Sequence, residues 1–181
     1  MSKIKVGVIF GGQSTEHDVS VVSGSSVIKN LSKEKYEIYP IYISEKGEWF
    51  HYIKPVQDID IFEIGEQPKE LEKISNEFEI LKKQDIIFPV LHGLYGEDGT
   101  IQGLLELLKV PYVGCKVLAS GICMDKVYAK MIFEKAHINQ AKAVVVNTKN
   151  GYTYVDEELN HISTTIEGIC KIVNEKLKYP V

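Results

Sequence analysis

Four side chains stand where chemistry can be done: Glu16, His92, Glu97 and Lys126. Glu16 lies in Gly11-Gly12-Gln13-Ser14-Thr15-Glu16-His17-Asp18, directly after the apolar run Ile4 to Phe10. His92 and Glu97 lie in His92-Gly93-Leu94-Tyr95-Gly96-Glu97-Asp98-Gly99, after a second apolar run from Ile86 to Leu91. A glycine-rich turn that opens a helix is a natural phosphate cradle, because helix N-termini offer free N–H groups and partial positive charge. Neither loop carries a phosphate signature: G-x-x-x-x-G-K-[ST] is missing, and Gly93, Gly96 and Gly99 have the wrong spacing for G-x-G-x-x-G. Both loops instead carry acids, Glu16 with Asp18 and Glu97 with Asp98. Acids repel a pyrophosphate and favour an ammonium group, so the loops fit a small amine or zwitterion better than a dinucleotide.

Each residue also has a plainer reading. Glu16 in a first helical turn complements the helix dipole, worth about 0.3–1 kcal/mol. His92 at a strand end could equally be a satisfied core histidine, and Glu97 and Asp98 could cap the next helix, the role expected of Asp98. Tyr95 has a hydroxyl free to bond, as many loop tyrosines do. Lys126 stands at a helix start, where the dipole disfavours a cation. A local rule broken without visible gain points to function, and an anion from outside the chain would supply the compensation. The five histidines are scattered singly, and Cys115, Cys123 and Cys170 form no CxxC pair. No metal site made by this chain alone is therefore expected, and the thiols suit a reducing, cytoplasmic compartment.

The elements that must position these residues follow from periodicity. Ile4–Phe10, Tyr36–Ser44 and Ile86–Leu91 read as strands, with a helix from the first loop to about Leu31. Thr15 with Asp18 fits a capping box at its start. Ser23, Gly24, Ser25 and Ser26 in that helix predict close packing against another backbone. Glu48–Tyr52 reads as a short aromatic strand after a Lys46-Gly47 turn, and residues 58–67 as an irregular connection. Pro68–Lys83 reads as a helix with Leu71, Ile74, Phe78 and Leu81 on one side. Ile101, Leu104, Leu105 and Leu108 predict a helix after the second loop, Val110–Gly114 a short strand, and Val117 onward two helices, with Asp125 placed to cap the second. Ala143–Asn147, an Asn150-Gly151 turn and Tyr152–Val155 read as a hairpin. Ile166, Ile169, Cys170, Val173 and Leu177 give a last helical stripe, over a sheet expected to have one or two strands. Tyr179-Pro180-Val181 reads as a further strand. Strand and helix alternation indicates an α/β fold with a parallel sheet, helices on both faces and short crossovers.

Composition bounds the remaining classes. The chain has 181 residues, 44% hydrophobic and 25% charged, as in an ordinary globular protein. A formal net charge of -4 leaves no basic footprint for nucleic acid. No apolar run of about 18 residues suggests a membrane span, and the N-terminus leads straight into a strand-like run without a signal-peptide core.

Phe10-Gly11-Gly12-Gln13-Ser14-Thr15-Glu16-His17-Asp18-Val19-Ser20, His92 through Gly103, Pro111-Tyr112-Val113-Gly114-Cys115 and Met124-Asp125-Lys126 together resemble the N-terminal part of D-alanine–D-alanine ligases. The resemblance runs from about residue 4 to 135 and continues in outline to Val181. It implies a Rossmann-like pre-ATP-grasp domain over residues 1–115. Residues 116–181 would be connecting helices and the start of an ATP-grasp domain of α+β type, incomplete at the C-terminus. It implies ATP-dependent joining of two D-alanines through an acylphosphate, for peptidoglycan synthesis. By the same resemblance Glu16 would hold the ammonium of the first D-alanine and His92 would sit near its carboxylate, both as catalytic and substrate-binding residues. Glu97, counted with them as substrate-binding, would hold the loop around them, and Lys126 would reach ATP phosphate. Magnesium would be needed, with ligands expected beyond Val181 and none in this chain, so that the 181 residues alone should be inactive. A homodimer through the N-terminal domain is implied as well. Two alternatives stay open: a D-alanine–D-serine ligase of the vancomycin-resistance type, to which Gly47–Tyr52 is similar, and a non-catalytic small-molecule-binding or dimerisation fragment.

Overall fold

The computed structural model describes residues 2–156 and 159–177. The chain divides into two compact units, Met1–Asp125 and Lys126–Val181.

The first unit is built on strand β1, Ile4–Gly11. Its run Ile-Lys-Val-Gly-Val-Ile-Phe-Gly is apolar without alternation because both faces are covered, as in the interior of a parallel sheet. Val6, Val8 and Phe10 point to one side, with Val21 and Ile28 of helix α1, His17–Asn30. Ile9 points to the other, with Leu81 of helix α2, Glu77–Lys82, and Ile101 and Leu105 of helix α3, Thr100–Leu108. Strand β1 pairs in parallel with β2, Tyr36–Ile43, on one side and with β5, Ile86–Pro89, on the other. Beyond β2 the sheet continues antiparallel through β3, Trp49–Tyr52, and β4, Leu71–Lys73, in the order β4-β3-β2-β1-β5. The expected α/β sheet with helices on both faces is thus present, with a parallel centre and an antiparallel flank. A last helix of this unit, α4, spans Val117–Met124.

Helix α1 lies tight against β1. A methyl group on Gly24 would come within 2.3 Å of Phe10 Cβ, so the small-residue stretch does permit the close approach its composition suggested. The capping box expected of Thr15 and Asp18 does not form. Glu16 occupies the N-cap without a side-chain cap bond, and the Asp18 carboxylate instead accepts a hydrogen bond from Gln67 Nε2 at 2.8 Å.

The helix expected over Pro68–Lys83 also breaks in two. Leu71 pairs with Tyr52 as the edge strand β4 and packs on the α1 side of the sheet, while Ile74 and Leu81 pack on the other. One helical stripe cannot reach both faces. Asn76 then starts the short helix α2 by accepting the Glu79 amide at 3.2 Å, and Phe78 stays exposed. The strand expected over Val110–Gly114 is reduced to a single parallel bridge between Ile87 and Tyr112.

The second unit holds α5, Lys126–Lys135, a three-stranded antiparallel sheet and α6, Ile166–Lys176. Its strands are β6, Val146–Asn147; β7, Tyr152–Val155; and β8, His161–Thr164. The hairpin turn sits where Asn150-Gly151 predicts it, with Gly151 at φ 99°. The strand expected from Ala143 is shorter, and β8 adds a third strand where one or two were expected. Thr165 caps α6 by accepting the Gly168 amide at 3.2 Å. The strand expected at Tyr179-Pro180-Val181 lies outside the described residues.

Replacing Gly24 by alanine should lower stability by about 1–3 kcal/mol, since the added methyl meets Phe10 directly and neither backbone can retreat. Urea unfolding monitored by far-ultraviolet circular dichroism measures it. An unchanged midpoint would show that the helix can slide away from β1.

Candidate functional site

The site arises where the direction of the sheet's connections reverses. From β1 the chain crosses through α1 to β2 on one side, whereas β5 lies on the other. Loops leaving the carboxyl ends of β1 and β5 therefore flank one crevice, the usual ligand position in an open α/β sheet.

The first loop turns on Gly11 and Gly12, at φ 88° and 97°. A methyl on Gly11 would stand 2.2 Å from the Ile43 carbonyl oxygen, which excludes any side chain there. Ser20 of α1 pins the strand ends together, accepting from the Gly11 amide at 2.8 Å and donating to the Val90 carbonyl at 2.5 Å. Ser14 joins the loops themselves. Its hydroxyl accepts the Glu16 amide at 3.0 Å and donates to the His92 carbonyl at 2.6 Å.

The second loop wraps around Gly93, whose φ is 69°. The Glu97 carboxylate accepts the Gly93 amide at 2.7 Å, which ties the loop on itself. A methyl on Gly93 would lie 3.2 Å from Ser14 Oγ and 3.6 Å from the Glu16 carboxyl carbon, so the first loop packs directly against this glycine. His92 Nε2 lies 3.1 Å from Ser23 Oγ of α1. Asp98 accepts from the Tyr95 and Thr100 amides, both at 2.9 Å, and so serves the start of α3 from just before its N-cap, Gly99. Partial burial pushes the Asp98 carboxyl up, but these amide bonds and the Thr100 hydroxyl outweigh it and hold the pKa below the ordinary range. Gln102, buried in α3, donates to the Gly96 carbonyl at 2.8 Å, leaving its own buried oxygen without a partner among the described residues.

These loops bring Glu16, His92 and Glu97 together, with one ligating atom of each within 4.8 Å of the others. Spacing alone does not suggest this group, which the family resemblance places around one substrate. Among the described residues, neither Glu16 nor Glu97 has a salt-bridge partner. Two unpaired carboxylates beside an imidazole favour a small cation, an ammonium or a metal ion, and disfavour phosphate. Beside them lies a cavity of about 240 Å³, lined by Leu91, His92, Ile101, Leu104, Ile43 and Trp49 among others. Lys126 is the exposed first residue of α5, in the second unit. Sequence spacing assigns Ser14 no role of its own and Ser23 only a packing one, although both hold the site. The only trace of Ser14 is a serine two residues before the acid of a glycine turn.

The crevice with its acidic mouth thus lies in an α/β domain built on a mixed sheet. A family model described as "D-ala D-ala ligase N-terminus" matches residues 5–115, and the chain belongs to that family. D-alanine–D-alanine ligases of Clostridium novyi and Clostridium acetobutylicum are each 48% identical to it over 182 residues, covering 99% of this chain and 49% of theirs. Among solved structures, the VanG D-Ala:D-Ser ligase of Enterococcus faecalis aligns with a TM-score of 0.70 at 35% identity, over 99% of this chain and 51% of that one. The D-alanine–D-alanine ligase of Coxiella burnetii aligns with a TM-score of 0.76 at 28% identity, over 97% and 49%. The chain spans about half the length of the curated relatives it matches.

Because the Asp98 pKa is depressed in the fold, its contribution is fully present above the unfolded value of about 3.9. It is lost as pH falls through the folded value. Asp98→Ala should cost about 1–3 kcal/mol at pH 7, and the gap from the parent should close in strong acid. Urea titrations at both pH values test this, and a gap independent of pH would refute it.

Proposed function

We propose that the protein carrying this chain joins two D-alanines at the expense of ATP, supplying a dipeptide for peptidoglycan, and that this chain provides the wall that receives the first D-alanine. The observation that carries the reading is the Glu16–His92–Glu97 group, acidic and, among the described residues, without a salt bridge, at the sheet's switch point in a chain of this family. Glu16 accepts hydrogen bonds from the substrate's ammonium. His92 faces its carboxylate, and Glu97 holds the Gly93 turn so that both can act. The apolar side of the adjoining cavity suits a small aliphatic group better than a charged one.

The chemistry has a simple reason. A carboxylate is a poor electrophile, so phosphoryl transfer from ATP first converts it to an acylphosphate. The amine of the second D-alanine then attacks the acyl carbon, and inorganic phosphate leaves with the bonding electron pair. Cations are needed where two anions must meet. In this chain Lys126 is assigned to ATP phosphate, consistent with its place at a helix start. Magnesium belongs to the proposed reaction, where it screens phosphate charge. Among the described residues Glu16, His92 and Glu97 form the one group of ligating side chains, and these are assigned to the amino acid.

Residues 1–115 are assigned to the Rossmann-like domain, and 116–181 to connecting helices and the opening of an ATP-grasp domain. A homodimer through the first domain and a cytoplasmic site of action complete the reading. No helix among the described residues is long and apolar enough to cross a membrane. The likeness to VanG favours a second reading, a D-alanine–D-serine ligase. Ligation assays offering D-alanine and D-serine as second substrate separate the two.

Glu16→Gln should raise the KM for the first D-alanine at least tenfold, with ATP affinity unchanged, because a charged acceptor is lost opposite an ammonium. Steady-state kinetics with each substrate varied in turn measures this. Unaltered D-alanine kinetics would remove Glu16 from the site.

A further inference from the structure

The irregular segment after β3 is a strap along α1. Asp60 meets Lys29 in the last turn of the helix at 3.3 Å, and the Phe62 amide donates to Ser25 Oγ at 3.0 Å in its middle. Gln67 then reaches the first turn. Ile59, almost wholly buried, and Phe62, packed near Tyr52, anchor the strap to the core on the way.

Gln67 is the strap's terminal clasp. Its Nε2 donates to Asp18 Oδ1 at 2.8 Å, and its Oε1 accepts from Tyr42 Oη at 3.0 Å. The same Oε1 lies 3.1 Å from Nε2 of buried His17. A carboxylate only accepts, so Asp18 sets which end of the amide faces it. Burial, reinforced by the Glu45 and Asp18 carboxylates, raises the Tyr42 pKa, and the hydroxyl that donates to Gln67 also lies 3.2 Å from His17 Nε2. His17 Nδ1 in turn lies 2.6 Å from the Gly12 carbonyl oxygen, at the other end of the loop. Residues 12 to 18 are thus gripped at both ends by one cluster, and Glu16 lies between the grips. The Glu16 side chain has no hydrogen bond of its own to hold it among the described residues.

We propose that Gln67 is a positioning residue for Glu16, acting through its hydrogen bond to Asp18 beside His17, so that a strap distant in sequence sets the aim of the substrate-facing carboxylate. This rests on the assignment of Glu16 to the ammonium of the first amino acid. A merely structural clasp would stabilise the fold without selecting one substrate.

The test exploits the direction of the amide. Gln67→Glu keeps the acceptor toward Tyr42 but sets a carboxylate against Asp18. Adding Asp18→Asn restores a donor and acceptor pair with the roles exchanged. In the ligase carrying this chain, Gln67→Glu should raise the KM for the first D-alanine about tenfold, as for loss of a hydrogen bond to a charged group. The kcat and the KM for ATP should stay within about twofold. The double variant should recover most of the loss, the coupling expected of residues in one network. An unchanged KM, an equal loss for both substrates, or no recovery in the double variant would overturn the proposal.

Hydrogen exchange at the residue 13–18 amides of this chain supplies an arm independent of activity. Exchange should quicken in Gln67→Glu and slow again in the double variant, and unaltered exchange overturns the grip itself. If the parent ligase does not use D-alanine at all, the assignment of Glu16 fails, while the exchange result still judges Gln67.

Discussion

Everything at the site depends on β1 being paired in parallel on both sides. Parallel neighbours end at the same edge, so the loops after β1 and β5 must emerge side by side. That is what lets residues nearly eighty positions apart share one serine hydroxyl. Ser14 spans the gap by accepting from one loop and donating to the other. Covering both faces of β1 requires α1 on one side and α2 with α3 on the other, and α1 can approach closely only because residue 24 is glycine. Packing, topology and site are thus one constraint at three scales.

The electrostatics of the crevice follow from that proximity. Carboxylate oxygens of Glu16 and Glu97 stand no more than 4.8 Å apart. Even in bulk water two like charges at that range repel by about 1 kcal/mol, and more where the dielectric is lower. An ammonium between them turns repulsion into two attractions, whereas a phosphate would add a third negative charge. The glycine turns look like a phosphate cradle in outline, yet the charges decide against it.

What could be read from the sequence was local. Ile4–Phe10, the loop glycines, and the stripe Ile101, Leu104, Leu105 and Leu108 each announce their element by spacing alone, and each formed as expected. Glu16, His92 and Glu97 were legible from spacing only as single candidates, and the family resemblance alone brought them together, because their meeting depends on sheet order, which no local pattern carries. Leu71, Ile74, Phe78 and Leu81 misled because helical spacing cannot show that Leu71 and Leu81 serve opposite faces of a sheet. Thr15 and Asp18 matched a capping box, but a long-range partner, Gln67, claimed the carboxylate. Strand β8 is short and exposed along most of its length, so it offered little apolar signal.

Departures from local preference gather around the crevice, though not only there. Among the described residues, Tyr95 adopts φ 65°, Gln102 buries an oxygen without a partner, and Glu16 and Glu97 lack a salt bridge, all within the two loops and the helix behind them. A strained non-glycine residue of this kind costs about 1–3 kcal/mol, and an unsatisfied buried acceptor a similar amount. Lys109 shows that positive φ alone is no sign of function: at φ 58° it ends α3, with its amide bonded back to the helix. Tyr95 differs because its amide is bound by Asp98, whose other oxygen serves the first residue of α3. The strain there is sustained by a carboxylate that also starts a helix. The loop therefore cannot relax without loosening α3, and that coupling keeps the Glu97 turn in the shape that faces Glu16.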